Sequence, residues 1–170
     1  SSSVAVGHQA LNAQNFTSGT SAYNVAVGAN AGAAVTTGLQ NTLIGGLAGD
    51  ANTTGGDNIA VGYASLGANT TGGSNTALGA YALDANTTAG NNTAVGAGAV
   101  GSNTTGAGNT GIGRAALVTN TTGADNVALG YRALNANTTA SNNTAVGKDA
   151  LYANTTGTGN VAVGATALDA

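Results

Sequence analysis

The chain is 170 residues long, with only 5% charged residues and no proline, cysteine, methionine or tryptophan. A net charge of −3 leaves no basic footprint for nucleic acid and no polybasic patch for anionic lipid, and the missing cysteine excludes disulfides and thiolate metal sites. With 42% apolar residues, mostly small, the composition is that of an ordered chain with a thin core, and no apolar run approaches the ~18 residues of a membrane helix.

The chain repeats itself. A first copy starts at Ser3 and runs 21 residues, four more than the others, with the insertion around Phe16. Nine further copies start at Asn24, Asn41, Asn58, Asn75, Asn92, Asn109, Asn126, Asn143 and Asn160, each 17 residues after the last. The whole of 1–170 therefore reads as one repeat domain, and the partial last copy suggests a piece of a longer fibre.

Within a copy, positions are counted from the asparagine. Positions one to four are a short strand: Asn, then Thr, Val or Ile, then nearly always Ala, then Val, Ile or Leu. Position five is glycine in every copy, from Gly7 through Gly28, Gly45, Gly62, Gly79, Gly96, Gly113, Gly130 and Gly147 to Gly164, and marks a bend. Ala-Leu at positions eight and nine, as at Ala82-Leu83, reads as a second short extended piece. Asn-Thr-Thr-Gly or Asn-Thr-Thr-Ala at positions twelve to fifteen is the return turn, because Asn tolerates the left-handed region and Gly supplies positive φ. One copy is thus one coil of an all-β, parallel β-solenoid of about ten coils. At about 4.8 Å per coil, the rod would be roughly 45–50 Å long.

Stacking sets like on like. The position-four residues Val27, Ile44, Val61, Leu78, Val95, Ile112, Leu129, Val146 and Val163 are expected to form the core column. Asn41, Asn58, Asn75, Asn92, Asn109, Asn126 and Asn143 are expected to form an amide ladder, and the position-twelve asparagines another. The strand is apolar on both sides, with position three facing one way and positions two and four the other. One side lines the coil and the other needs a cover, which points to a homo-oligomer: a three-fold assembly or lateral packing in a fibre, with a monomer bearing a flat Thr/Val face as the rival.

Charge is confined to a few positions. Arg114 and Lys148 stand at six, Arg132 and Asp149 at seven, Asp50, Asp84 and Asp169 at ten, and Asp57 and Asp125 at seventeen. These are corners facing solvent. The residues offer no catalytic, metal or cofactor site. His8 is the only histidine and stands at a variable corner, and the aspartates are too scattered for calcium. Asp50 and Asp84, two coils apart, would lie roughly 10 Å from each other, but nothing else suggests a glycosidase cleft. The Asn-Thr-Thr turns also match a glycosylation sequon, as at Asn52-Thr53-Thr54, although the turn role accounts for them.

Ser3-Val4-Ala5-Val6-Gly7, Asn58-Ile59-Ala60-Val61-Gly62 and Asn160-Val161-Ala162-Val163-Gly164 resemble the head repeats of YadA-type trimeric autotransporter adhesins and the repeats of bacterial and phage fibre proteins. The resemblance covers essentially the whole chain, although the adhesin repeat has about 14 residues. It implies a left-handed, homotrimeric β-roll at a cell surface or on a virion, with an extracellular structural or adhesive role and a host-surface or glycan ligand. An ice-binding solenoid is the alternative, motivated by low charge and regular threonine columns, and a surface-layer component shares the architecture.

Overall fold

A computed structural model describes residues 2–15 and 21–169. The expected insertion around Phe16 lies outside the described residues. Ten three-residue strands form one parallel sheet in sequence order: β1 (Val4–Val6), β2 (Val25–Val27), β3 (Thr42–Ile44), β4 (Ile59–Val61), β5 (Thr76–Leu78), β6 (Thr93–Val95), β7 (Thr110–Ile112), β8 (Val127–Leu129), β9 (Thr144–Val146) and β10 (Val161–Val163). Each strand pairs with the next in register, position two on two through four on four, so the chain is a β-solenoid of about nine turns. Coils are numbered here with their strands.

Coil five shows how so short a coil satisfies its backbone. Thr76 N–H donates to Asn92 O of the next coil at 2.8 Å, while Gly79 N–H donates to Val61 O of the previous coil at 2.8 Å. Further on, Tyr81 N–H reaches back to Tyr63 O at 3.0 Å, and Leu83 and Ala85 reach forward to Ala99 O and Gly101 O at 3.1 and 3.0 Å. Between these, Ala82 N–H closes a turn on Gly79 O at 3.2 Å and Asn86 N–H another on Leu83 O at 3.1 Å. Inter-coil bonds therefore continue well outside the strands, which a buried backbone requires.

The Ala-Leu segment is not the extended piece expected. It is a run of turns in which positions seven and nine take positive φ: Tyr81 at 58° and Leu83 at 52° in coil five, and Arg132 at 53° and Leu134 at 53° in coil eight. Leucine in the left-handed region costs about 1–2 kcal/mol. Position nine accepts that cost because Leu66, Leu83, Leu117 and Leu134 are wholly buried. Burying such a side chain is worth about 1.5–3 kcal/mol.

The core column also differs from expectation. Position three points inward: Ala26, Leu43, Ala60, Ala77, Ala94, Ala128 and Ala145 are wholly buried, packed against positions eight and nine. Position four, expected as the core, points outward. Val27, Ile44, Leu78, Ile112, Leu129 and Val163 are exposed, and Val61, Val95 and Val146 are half-buried. The interior is too thin for two large aliphatics per coil, so leucine at nine takes the space and alanine at three meets it.

Exceptions to this pairing compensate one another. Coils two and three carry Gly32 and Gly49 at position nine, and Leu43 fills the vacated volume: a Cβ on Gly32 would lie 2.7 Å from Leu43 Cδ1, and one on Gly49 2.8 Å from Leu43 Cδ2. Coil seven has Gly111 at position three, where a Cβ would lie 2.5 Å from Val100 Cγ2. The β-branched Val100, itself at φ 51°, leans into that space.

Two stability predictions follow from this packing. Gly111→Ala should destabilise by about 1–3 kcal/mol as an overpacked core. Adding Val100→Leu restores the Leu-over-Ala pair of the other coils and should recover most of the loss in denaturant titration. At position five, φ is 128° for Gly96 and a Cβ would sit 2.7 and 2.8 Å from the carbonyl carbon and oxygen of Gly113. Gly96→Ala should therefore cost about 3 kcal/mol or more. Gly98→Ala is the control: φ is 64°, nothing lies within 4 Å of the added carbon, and Ala64 and Ala115 occupy the same position in other coils. Its cost should be about 1–2 kcal/mol.

Candidate functional site

Two asparagine columns hold the return turn in place. At position one, each side-chain oxygen accepts the backbone N–H of the next coil's asparagine, as Asn24 Oδ1 from Asn41 at 2.8 Å and Asn92 Oδ1 from Asn109 at 2.9 Å. The amide nitrogens of Asn41, Asn58, Asn75, Asn109 and Asn126 donate within their own coils to the position-fifteen carbonyl, as Asn58 to Gly72 O at 2.9 Å. At position twelve the amides bond directly up the stack, Asn69 to Asn52, Asn86 to Asn69 and Asn103 to Asn86, at 2.9–3.0 Å. These amides also donate to the position-fifteen carbonyl, so Gly55 O accepts from both Asn41 and Asn52 at 2.9 Å. Asn92 Nδ2 departs from the pattern and has no partner among the described residues. Wholly buried except for the half-buried Asn154 and Asn160 at the end of the stack, these asparagines are scaffold.

Three features reach the surface. The first is the outer strand face of positions two and four. It carries aliphatic residues at four in every coil, Thr, Val or Ile at two, and no charge. Side chains as large as Ile44, Leu78 and Leu129 are 38%, 46% and 42% exposed there.

The second is the return turn. Position-thirteen threonines are half-buried in most coils, and their hydroxyls donate to the position-thirteen carbonyl of the next coil, as Thr53 to Thr70 O at 2.9 Å. Position fourteen is a separate, fully outward column of Thr37, Thr54, Thr71, Thr88, Thr105, Thr122, Thr139 and Thr156, all exposed.

The third is the corner ridge formed by positions six, seven and ten. In coils seven to nine, Arg132 lies over the rings of Tyr131 and Tyr152 at 5.0 and 4.8 Å and binds Asp149 Oδ1 through Nε at 2.8 Å. Lys148 Nζ lies 3.4 Å from the other oxygen of Asp149, and Arg114 stacks on Tyr131 at 5.7 Å. The hydrogen bond from Arg132 holds the Asp149 carboxyl below its ordinary value, and the same bond raises Arg132. In coils three to five the ridge carries Asp50 and Asp84, with Tyr63 and Tyr81 edge to face at 5.5 Å. A Cβ on Gly67 would lie 2.9 Å from Asp84 Oδ1 and 3.7 Å from Asp50 Oδ1, so the two carboxylates flank that glycine. Burial in the ridge raises both, and Asp84 raises Asp50 further.

Sequence reasoning put these charges at corners but did not see that positions six, seven and ten make one continuous ridge. His8 is exposed, and no group of three or more metal-ligating side chains occurs among the described residues.

The carboxyl shifts give opposite signs of pH dependence. Asp50 and Asp84 bind protons in the fold above the ordinary 3.8, so their contribution to stability is fully present below that value and lost as pH rises through their raised values. Asp149 contributes above the ordinary value and loses its contribution as pH falls through its depressed one. For the dilute, unassembled chain, Tm should rise on acidification from about pH 7 into the carboxylate range and fall on further acidification. Asp50→Asn with Asp84→Asn should remove the rise, and Asp149→Asn should blunt the fall. Comparison with family models, curated proteins and solved structures found no match, so the functional reading rests on these three surfaces.

Proposed function

We propose that the chain is an extracellular structural and adhesive fibre component, a repetitive rod whose copies pack through the outer strand face into a homotrimer, like the adhesin heads its repeat resembles. The observation that carries this reading is the outer strand face: ten strands long, aliphatic at every position four, and without charge. A contiguous apolar face of this kind marks a site of association. Covering the exposed part of ten such side chains is worth on the order of 10 kcal/mol. That is comparable with the cost of bringing chains together, about 4–15 kcal/mol. A three-fold arrangement brings the same face of three chains together without leaving one uncovered. In this reading the coil is left-handed, the rod is not an enzyme, and recognition of a host surface or glycan falls to the corners.

Sedimentation equilibrium tests it. In salt of about 1 M, which screens contacts between surface charges, the native chain should sediment as three copies of 15.8 kDa. At the same salt, Leu78→Lys with Leu129→Lys, placing cations on the shared face, should give a folded monomer with an unchanged circular dichroism spectrum. A native chain that stays monomeric at every concentration, or a variant that assembles undiminished, would exclude the trimer.

A second reading, ice binding, is supported by the exposed position-fourteen threonines, one per coil along the rod. Thermal hysteresis that disappears in Thr88→Tyr with Thr105→Tyr would favour it. No hysteresis at millimolar protein would remove it.

A further inference from the structure

The corner ridge is built to pair with itself. In coils three to five it carries two negative charges, Asp50 and Asp84, and no cation. In coils seven to nine it carries Arg114, Arg132, Lys148 and Asp149, a net of two positive charges that includes every lysine and arginine of the chain. Between the two halves, coil six contributes only Ala97, Gly98 and Gly101. Among the described residues Asp50 and Asp84 have no cation partner and Arg114 has no carboxylate partner. Exposed tyrosines stand in both halves, Tyr63 and Tyr81 in one and Tyr131 in the other.

We infer that this ridge binds a second copy of the chain, antiparallel, about a two-fold axis through coil six. The orientation follows from charge. Two ridges laid parallel and in register would set aspartate on aspartate and arginine on arginine. Turned antiparallel about coil six, coil five faces coil seven, coil four faces coil eight and coil three faces coil nine. Asp84 and Tyr81 then meet the partner's Arg114, Tyr63 meets the pair Tyr131 and Arg132, and Asp50 meets Lys148, which also lies 3.4 Å from Asp149 of its own chain. Each contact occurs twice, as an isologous interface requires. Oppositely charged patches brought together in this way fix orientation and register as well as adding affinity. The smallest residues fall on the axis, where two rods approach most closely. Desolvation of Asp50 and Asp84 within their own chain leaves carboxylates that gain from an incoming cation. Arg114 and Arg132 also meet additional tyrosine faces.

The pairing uses a different surface from the strand face and does not rest on that reading, and the test keeps the two apart. It is run in the Leu78→Lys, Leu129→Lys background, where the strand face is blocked and the ridge untouched. Sedimentation at low salt should show a dimer of 15.8 kDa chains that dissociates as salt is raised toward 1 M. Asp84→Arg alone and Arg114→Asp alone should each weaken the dimer by about tenfold or more, because each sets like charges opposite one another twice. An equimolar mixture of the two variants should recover the unsubstituted affinity to within about threefold, since both contacts in the mixed dimer again join opposite charges. The chain has no cysteine, so Ala97→Cys supplies a single thiol near the proposed axis. It should form a reducible dimer, and Ala29→Cys, at the same position in coil two, should not. A monomer at low salt, a mixture no tighter than either variant alone, or equal cross-linking at both cysteines would overturn the pairing and leave the strand-face assembly standing.

Discussion

Every residue of this rod sits about one strand spacing from its own counterpart in the next coil. That constraint governs the rest of the structure. Glycine at position five follows directly, because a Cβ there would lie within 2.4–2.8 Å of the next glycine's carbonyl group through most of the stack. So do the buried asparagines. A primary amide has both a donor and an acceptor, and it can bond to an identical amide, or to the backbone, above and below itself. An inward carboxylate or ammonium would meet only its own repelling copy. The thin core obeys the same rule. One leucine and small residues fill each level, and a change at one level is answered at the next, as Leu43 answers Gly32 and Gly49.

The stack also explains why unfavourable local geometry persists. Eight non-glycine copies at position nine, including the β-branched Val100, hold φ between 50° and 55°. Left-handed backbone is poor for an isolated leucine or valine. Here it allows the N–H of Leu83 to reach Ala99 O in the next coil while the side chain remains wholly buried. Burial and inter-coil hydrogen bonding together outweigh a strain of about 1–2 kcal/mol per residue. The strain is repeated in coil after coil because the closure that requires it is repeated.

Much of this was legible in the sequence. The 17-residue period gave the coil, the strand to within one residue, the glycine bend and both asparagine columns. Alternation along the strand correctly separated position three from positions two and four. It did not say which side was inward. Taking the larger aliphatics as core assigned Val27 and its counterparts to the interior, whereas Leu83 and its counterparts fill that space and leave room only for alanine opposite. The left-handed Ala-Leu segment was hidden for a related reason: leucine and valine carry no local signal for positive φ, and the tertiary closure alone imposes it. The ridge was hidden because positions six, seven and ten are separated in sequence and meet only when coils stack, as Arg132 and Tyr152 do.

The same constraint gives meaning to the few charges present. Like charges one strand spacing apart repel by roughly 1–4 kcal/mol, depending on exposure. No column of this chain places like charges in adjacent coils. Gly67 separates Asp50 from Asp84 at position ten, Tyr131 separates Arg114 from Lys148 at position six, and the one adjacent charged pair, Arg132 and Asp149 at position seven, is an opposite pair bonded at 2.8 Å. Solubilising charge alone would be satisfied by a scatter of both signs around all corners. What occurs is a segregation of the cations along one ridge: all three stand in coils seven to nine with Asp149 among them, while coils three to five carry Asp50 and Asp84 and no cation, each column still avoiding its own repulsion. An arrangement that respects the intrachain rule and yet leaves Asp50, Asp84 and Arg114 without an ion-pair partner among the described residues is the arrangement expected where opposite charge arrives from a second rod.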